Sequence, residues 1–168
     1  MRIALFVALV GTPALAEAPY DAFMGDIGGC FEAADGLDAG RACIGTGAGA
    51  CFTGAPDGGT TVGMMFCLLA ERDAWDRLLN AEYAHARAAG QRMDDADRAD
   101  FPDTAHRAEQ VRDAQRAWIA FRDANCAMEY GAWGAGSMRQ IAGADCQMRM
   151  TAERTLELRL YWQTLEGS

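Results

Sequence analysis

No lysine occurs among the 168 residues, and all 15 basic residues are arginine. A Walker phosphate loop, a pyridoxal Schiff base and the Ser-x-x-Lys pair of penicillin-binding enzymes each require one, so those chemistries are excluded. Serine is nearly missing too: Ser137 and Ser168 are the only two, and neither sits in a Gly-x-Ser-x-Gly elbow, which stands against a serine hydrolase. No stretch alternates with period two, so no sheet is expected. No apolar run reaches the roughly 20 residues of a membrane span. Positive charge is scarce as well; a net charge of -9 opposes binding to a phosphate backbone, which needs a clustered basic surface.

What is present begins with an export signature. Met1 and Arg2 precede the apolar run Ile3 to Val10, and Ala14-Leu15-Ala16 follows a Gly-Thr-Pro break. That order reads as a secretory signal peptide over residues 1–18, and no cysteine nearby indicates a lipid anchor. The remainder, 19–168, is expected to be one domain, periplasmic or secreted. In such an oxidising compartment the six cysteines, Cys30, Cys43, Cys51, Cys67, Cys126 and Cys146, read as three disulfides. Nearest-neighbour pairing, Cys30 to Cys43, Cys51 to Cys67 and Cys126 to Cys146, is preferred because each pair brackets a Gly-rich or turn-prone stretch. The spacings fit no zinc motif, and no metal or cofactor is expected.

The texture changes near residue 60. Residues 19–59 are rich in Gly and Cys and read as a stapled, loop-rich cap with short helices around Tyr20 to Ala34 and Asp38 to Ala48. Residues 60–168 read as three long helices. The first runs from about Val62 to Ala89, with Thr60 or Thr61 as N-cap, Leu68, Trp75, Leu79 and Tyr83 on one side, and Gly90 as terminator. The second starts near Asp103 or Thr104 and closes at Gly131. Its Val111, Ala114, Trp118, Phe121, Asn125 and Met128 step alternately by three and four, an a/d seam. The third, about Met138 to Leu165, carries the stripe Ile141, Asp145, Met148, Ala152, Thr155, Leu158 and Trp162. The fold expected is therefore all-α, an antiparallel bundle of three long helices under a disulfide-stapled cap.

Candidate chemistry is sparse. His85 and His106, the only histidines, fall at expected helix ends where exposure is ordinary. The run Ile44 to Gly49 (IGTGAG) lacks the spacing and the preceding strand of a dinucleotide loop, and reads as a turn. Asp94, Asp95, Asp97, Asp100 and Asp103 fill the first connection without the Gly and Glu of an EF-hand, and read as a solvated acidic loop. Asn80 and Asn125 sit mid-helix, where Asn is a poor helix former. With Trp75, Tyr83, Gln115, Trp118, Arg122 and Asp123 around them, they suggest interhelical hydrogen bonds that fix register. A hydrolase working through carboxylates such as Glu71, Asp76 or Glu82 has little support.

The segments WDRLLNAEY (Trp75 to Tyr83), QRAWIAFRDANC (Gln115 to Cys126), a Gly-rich loop, Cys146 and TAERTLELR (Thr151 to Arg159) together resemble the LprI-like family of lysozyme inhibitors, over about residues 51–160. The resemblance implies an exported helical domain with disulfides, a non-enzymatic binding role, and a cationic lysozyme or other cell-wall hydrolase as partner. An envelope protein with another ligand is the alternative. An acidic chain would be steered toward a basic enzyme. Trp133, in the loop Gly131 to Gly136, is the expected anchor, unless it folds back over the Cys126 to Cys146 link. Asp94, Asp95, Asp97 and Asp100 are a second candidate contact.

Overall fold

The computed structural model describes residues 19–167, so the expected signal peptide lies outside the described residues. Those residues form helices and no strand: α1 (Gly25–Ala33), α2 (Gly36–Arg41), α3 (Thr46–Gly54), α4 (Thr61–Asp97), α5 (Arg107–Gly131) and α6 (Met138–Gly167), with single 3-10 turns at Asp21–Phe23 and Pro102–Thr104. The all-helical reading holds. The cap is more helical than its Gly content suggested, because α1 to α3 pack onto the long helices and are tied by disulfides. Cys30–Cys43, Cys51–Cys67 and Cys126–Cys146 are the pairs formed. No described helix is long and apolar enough to cross a membrane.

Ion pairs and hydrogen bonds give the directions of the long helices. Arg72 bonds Gln147, Glu82 bonds Arg159 and Arg92 bonds Glu166, so α4 and α6 run the same way. Gln115 meets Arg154 and Cys126 meets Cys146, so α5 runs against them. The larger core lies where the cap meets α4 and α6. Trp75 is fully buried there among Ile27, Phe31, Leu68, Met148 and Leu156, with the Phe31 ring edge-on at 5.7 Å. A smaller core of Leu79, Ala86, Val111 and Leu158, flanked by Tyr83, Trp118 and Trp162, joins α4, α5 and α6.

The start of α4 follows capping chemistry. Thr60 caps α4, its hydroxyl accepting from the Gly63 N–H at 3.0 Å. The expected terminator Gly90 does not end α4, which continues to Asp97. Gly90 is buried against the start of α5, where a Cβ would lie 3.0 Å from the Ala108 nitrogen. Its role is close approach of two backbones. The second long helix begins later than expected, at Arg107, after the turn at Pro102–Thr104. Its start coincides with the two amides that Asp94 accepts, described below.

The seam of α5 also differs from its sequence reading. Val111 is buried and Trp118 and Asn125 half-buried, but Ala114, Phe121 and Met128 face solvent. Gln115, Arg122 and Glu129 take the inward places. Gln115 accepts from Arg154 Nε at 3.0 Å, and the Arg122 and Arg154 guanidinium groups lie 5.1 and 6.0 Å from the Trp118 ring centre. Arginine planes stacked on an indole thus do the packing that aliphatic side chains were expected to do. The α6 stripe agrees with expectation: Met148, Ala152, Thr155 and Leu158 are buried.

Candidate functional site

Three acidic residues of α4 are buried, and each one holds another element in place. Glu71 is fully buried; one oxygen accepts from the Gly45 N–H at 2.7 Å and Trp75 Nε1 at 3.0 Å, the other from the Ala48 N–H at 2.7 Å. These amides form the N-terminus of α3, with Gly45 in the left-handed region at φ 86°. The IGTGAG stretch is therefore a helix start as well as a turn. A protein carboxylate occupies the place where a nucleotide-binding loop would receive phosphate.

Glu82 binds Arg159 at 2.9 Å and Trp162 Nε1 at 2.5 Å. Arg159 also donates to the Phe31 carbonyl at 2.9 Å and to Glu32 at 2.7 Å, with its guanidinium 3.3 Å from the Phe31 ring centre. This cluster fastens α1 and α6 to α4. Asp94 accepts from the backbone N–H groups of Arg107 and Ala108 at 3.0 and 3.1 Å and from the Arg107 side chain at 3.2 Å. Burial pushes its carboxyl up, but those donors outweigh it and hold the group below its ordinary range. Asp94 is thus a cap for α5 and is buried away from any partner.

Two of the remaining acidic candidates are engaged near the same junction. Asp97 pairs with Arg107 at 2.7 Å, and Asp95 accepts from Gln91 at 2.8 Å and lies 3.3 Å from Arg98. Asp100 and Asp103 are exposed. Asp95 and Asp97 belong to α4 rather than to a loop, because the helix runs on past Gly90. No group of three or more His, Cys, Asp and Glu residues among those described is arranged to hold a metal.

The two Asn residues behave differently from each other. Asn80 is exposed and donates only within α4, to Asp76, so it fixes no interhelical register. It lines the groove between α4 and α5 beside Arg112 and Arg116, but its amide bonds back to its own helix. Asn125 donates to Glu129 at 3.2 Å and sits 3.5 Å from both Cys146 Sγ and Met150 Sδ of α6. Asp123 pairs with its neighbour Arg122. His85 and His106 are exposed, as expected.

At the opposite end from the acidic junction, the hairpin between α5 and α6 presents Trp133, half exposed. Its loop is tightly bonded: Gly134 N–H donates to the Gly131 carbonyl at 3.0 Å, Gly136 N–H to the Trp133 carbonyl at 2.9 Å, and Arg139 to the Gly134 carbonyl at 3.3 Å. Arg139 also lies over the Tyr130 ring at 5.5 Å. Below the loop, Cys126–Cys146 staples the two helices, and Asn125 and Met150 contact its sulfurs. Beside the hairpin an open groove of about 720 Å³ has Val62 and Phe66 of α4 on one wall, Tyr130 of α5 on the other, and Gly143 and Ala144 of α6 as floor. The Gly-rich loop drew attention to Trp133 but nothing in the sequence pointed to this groove, whose walls lie far apart in the chain.

A match to the family described as Lysozyme inhibitor LprI covers residues 51–158, well over half of the chain. The chain belongs to the LprI family. That description is of a binding role, and the matched residues include all of α4 and α5, most of α6, and two of the disulfides. Most of the cap precedes the matched stretch. No curated protein and no solved structure matched the chain.

Proposed function

We propose that this LprI-family chain acts outside the cytoplasm as a non-catalytic inhibitor of lysozyme-type cell-wall hydrolases. The family match over residues 51–158 carries the reading. Three disulfides suit an oxidising compartment. A net charge of -9 favours encounter with a basic enzyme, more strongly at low salt.

Within the matched residues, the hairpin end is the contact surface we infer. Trp133 stands half exposed on a loop whose backbone is fixed by hydrogen bonds and whose base is stapled, so little ordering entropy opposes its insertion into a cleft. The acidic residues cannot share that contact. The 25 residues of α5 separate the two ends by about 37 Å, beyond the roughly 30 Å width of a standard patch. Asp95, Asp97 and Asp100 then act through long-range attraction.

Titration calorimetry with egg-white lysozyme tests the contact. The wild-type protein binds, and Trp133→Ala binds at least tenfold more weakly with an unchanged melting temperature. Equal affinity of the two proteins would remove Trp133 from the interface, and no binding by either, to this lysozyme and to those of the other classes, would remove the lysozyme reading.

A further inference from the structure

From Ala114 to Met128, about four turns, the outward face of α5 carries no charge, with Asp113, paired to Arg112, standing at its N-terminal edge. Ala114, Ala117, Ala120, Phe121, Ala124, Ala127 and Met128 are all exposed, with Phe121 at 61% and Met128 at 66%. An isolated surface helix normally places charged residues there. Phe121 and Met128 belong to the heptad seam, yet the bundle uses only the other half of that seam. Ala117 and Ala124 form the crest between them, and side chains this small let a second helix approach to about 8 Å.

We propose that this face pairs with the same face of a second copy, α5 against α5, in an antiparallel two-fold dimer. Covering Phe121, Met128 and the alanines would remove roughly 500 Å² per copy, about 1,000 Å² in all, the size of a reversible rather than an obligate interface. Charge fixes the direction. Arg116 and Asp123 are one heptad apart on one flank of this face, and both are exposed. A parallel pair would set this flank against the partner's opposite flank, where Trp118 and Asn125 offer no charge to either residue. An antiparallel pair with its axis near Ile119 and Ala120 sets each Arg116 level with the other copy's Asp123, and the two-fold makes both contacts. The exposed alanines are then the middle of an interface, and a second copy, rather than an unrelated protein, is the occupant whose flanking charges match.

Sedimentation equilibrium of the purified protein, from micromolar to near-millimolar loading, is the test. The weight-average mass should rise with concentration from one chain toward two. Ala124→Glu, on the exposed crest, should hold it at one chain with the helical circular dichroism and melting temperature unchanged; Ala117→Arg repeats the test at a second site. Arg116→Asp should weaken the dimer about tenfold, and adding Asp123→Arg should restore it. A single-chain mass at every concentration overturns the proposal, as does a dimer that survives both crest substitutions. A double variant as weak as Arg116→Asp alone overturns the antiparallel register. None of these readouts depends on lysozyme.

Discussion

Replacing Glu71 by Gln changes one atom in shape but removes the charge that organises the cap. Glu71 accepts three hydrogen bonds, from the Gly45 and Ala48 amides and the Trp75 indole, at 2.7, 2.7 and 3.0 Å, with no solvent exposure. Glutamine keeps one oxygen and turns an NH₂ group toward at least one of these donors. One charge-assisted bond is lost, at about 1.5–3 kcal/mol, and one buried N–H is left facing another donor, at about 1–3 kcal/mol. A total near 4 kcal/mol corresponds to a fall in melting temperature of roughly 10 °C for a domain of this size. Cys30–Cys43 and Cys51–Cys67 keep the cap attached even when its anchor fails, so part of the loss should be local. Thermal melting by circular dichroism, with amide hydrogen exchange at Gly45 and Ala48, reads both. Asp73→Asn, on the exposed side of the same helix, is the control. A Glu71→Gln protein within about 0.5 kcal/mol of wild type, with no faster exchange at those amides, would refute the assignment of Glu71 as the anchor of α3.

Three further substitutions test the other joints. Asp94→Asn should destabilise by about 1–3 kcal/mol. Because Asp94 titrates below its ordinary 3.8 in the folded protein, its contribution is fully present above that value and lost as pH falls through the lower folded one. The gap in melting temperature between wild type and Asp94→Asn should therefore close on acidification, and a gap independent of pH would contradict the cap. Arg159→Met leaves Glu82 buried with only Trp162, and should cost about 3–5 kcal/mol, partly recovered in the Glu82→Leu/Arg159→Met double variant; additive losses in a double-mutant cycle would dissolve the pair. Gly90→Ala places a methyl group 3.0 Å from the Ala108 nitrogen and should destabilise by about 1–3 kcal/mol despite alanine's better helix propensity. A more stable protein would show that α4 and α5 do not meet backbone to backbone there.

Local signals in the sequence located much of this fold. Thr60 announces α4, the 3.6-residue stripe of Met148, Ala152 and Thr155 announces the buried face of α6, and the three cysteine pairs follow from proximity along the chain. Long-range partners were not legible. Gly90 carries the local signature of a helix end, and only the arrival of Ala108 makes it an interior packing position. Asp94 looks like one more acid in a solvated run until the α5 amides are placed on its two oxygens. The periodicity of α5 correctly marks a helix but misplaces its face, because Arg122 and Arg154 stacked on Trp118 pack as a hydrophobic residue would. At the candidate site, Trp133 was visible as a bulky residue among glycines. The groove beside it is assembled from three helices and had no local signal.

The family assignment makes inhibition the claim on which the functional account rests. A lysis assay measures it directly: lysozymes of several classes act on a bacterial cell suspension with and without a molar excess of the purified, disulfide-intact protein, and the fall in turbidity is followed. The account predicts a dose-dependent slowing with at least one lysozyme class, reduced by Trp133→Ala and retained by Asp95→Asn. Unchanged lysis by every class at large molar excess would contradict it.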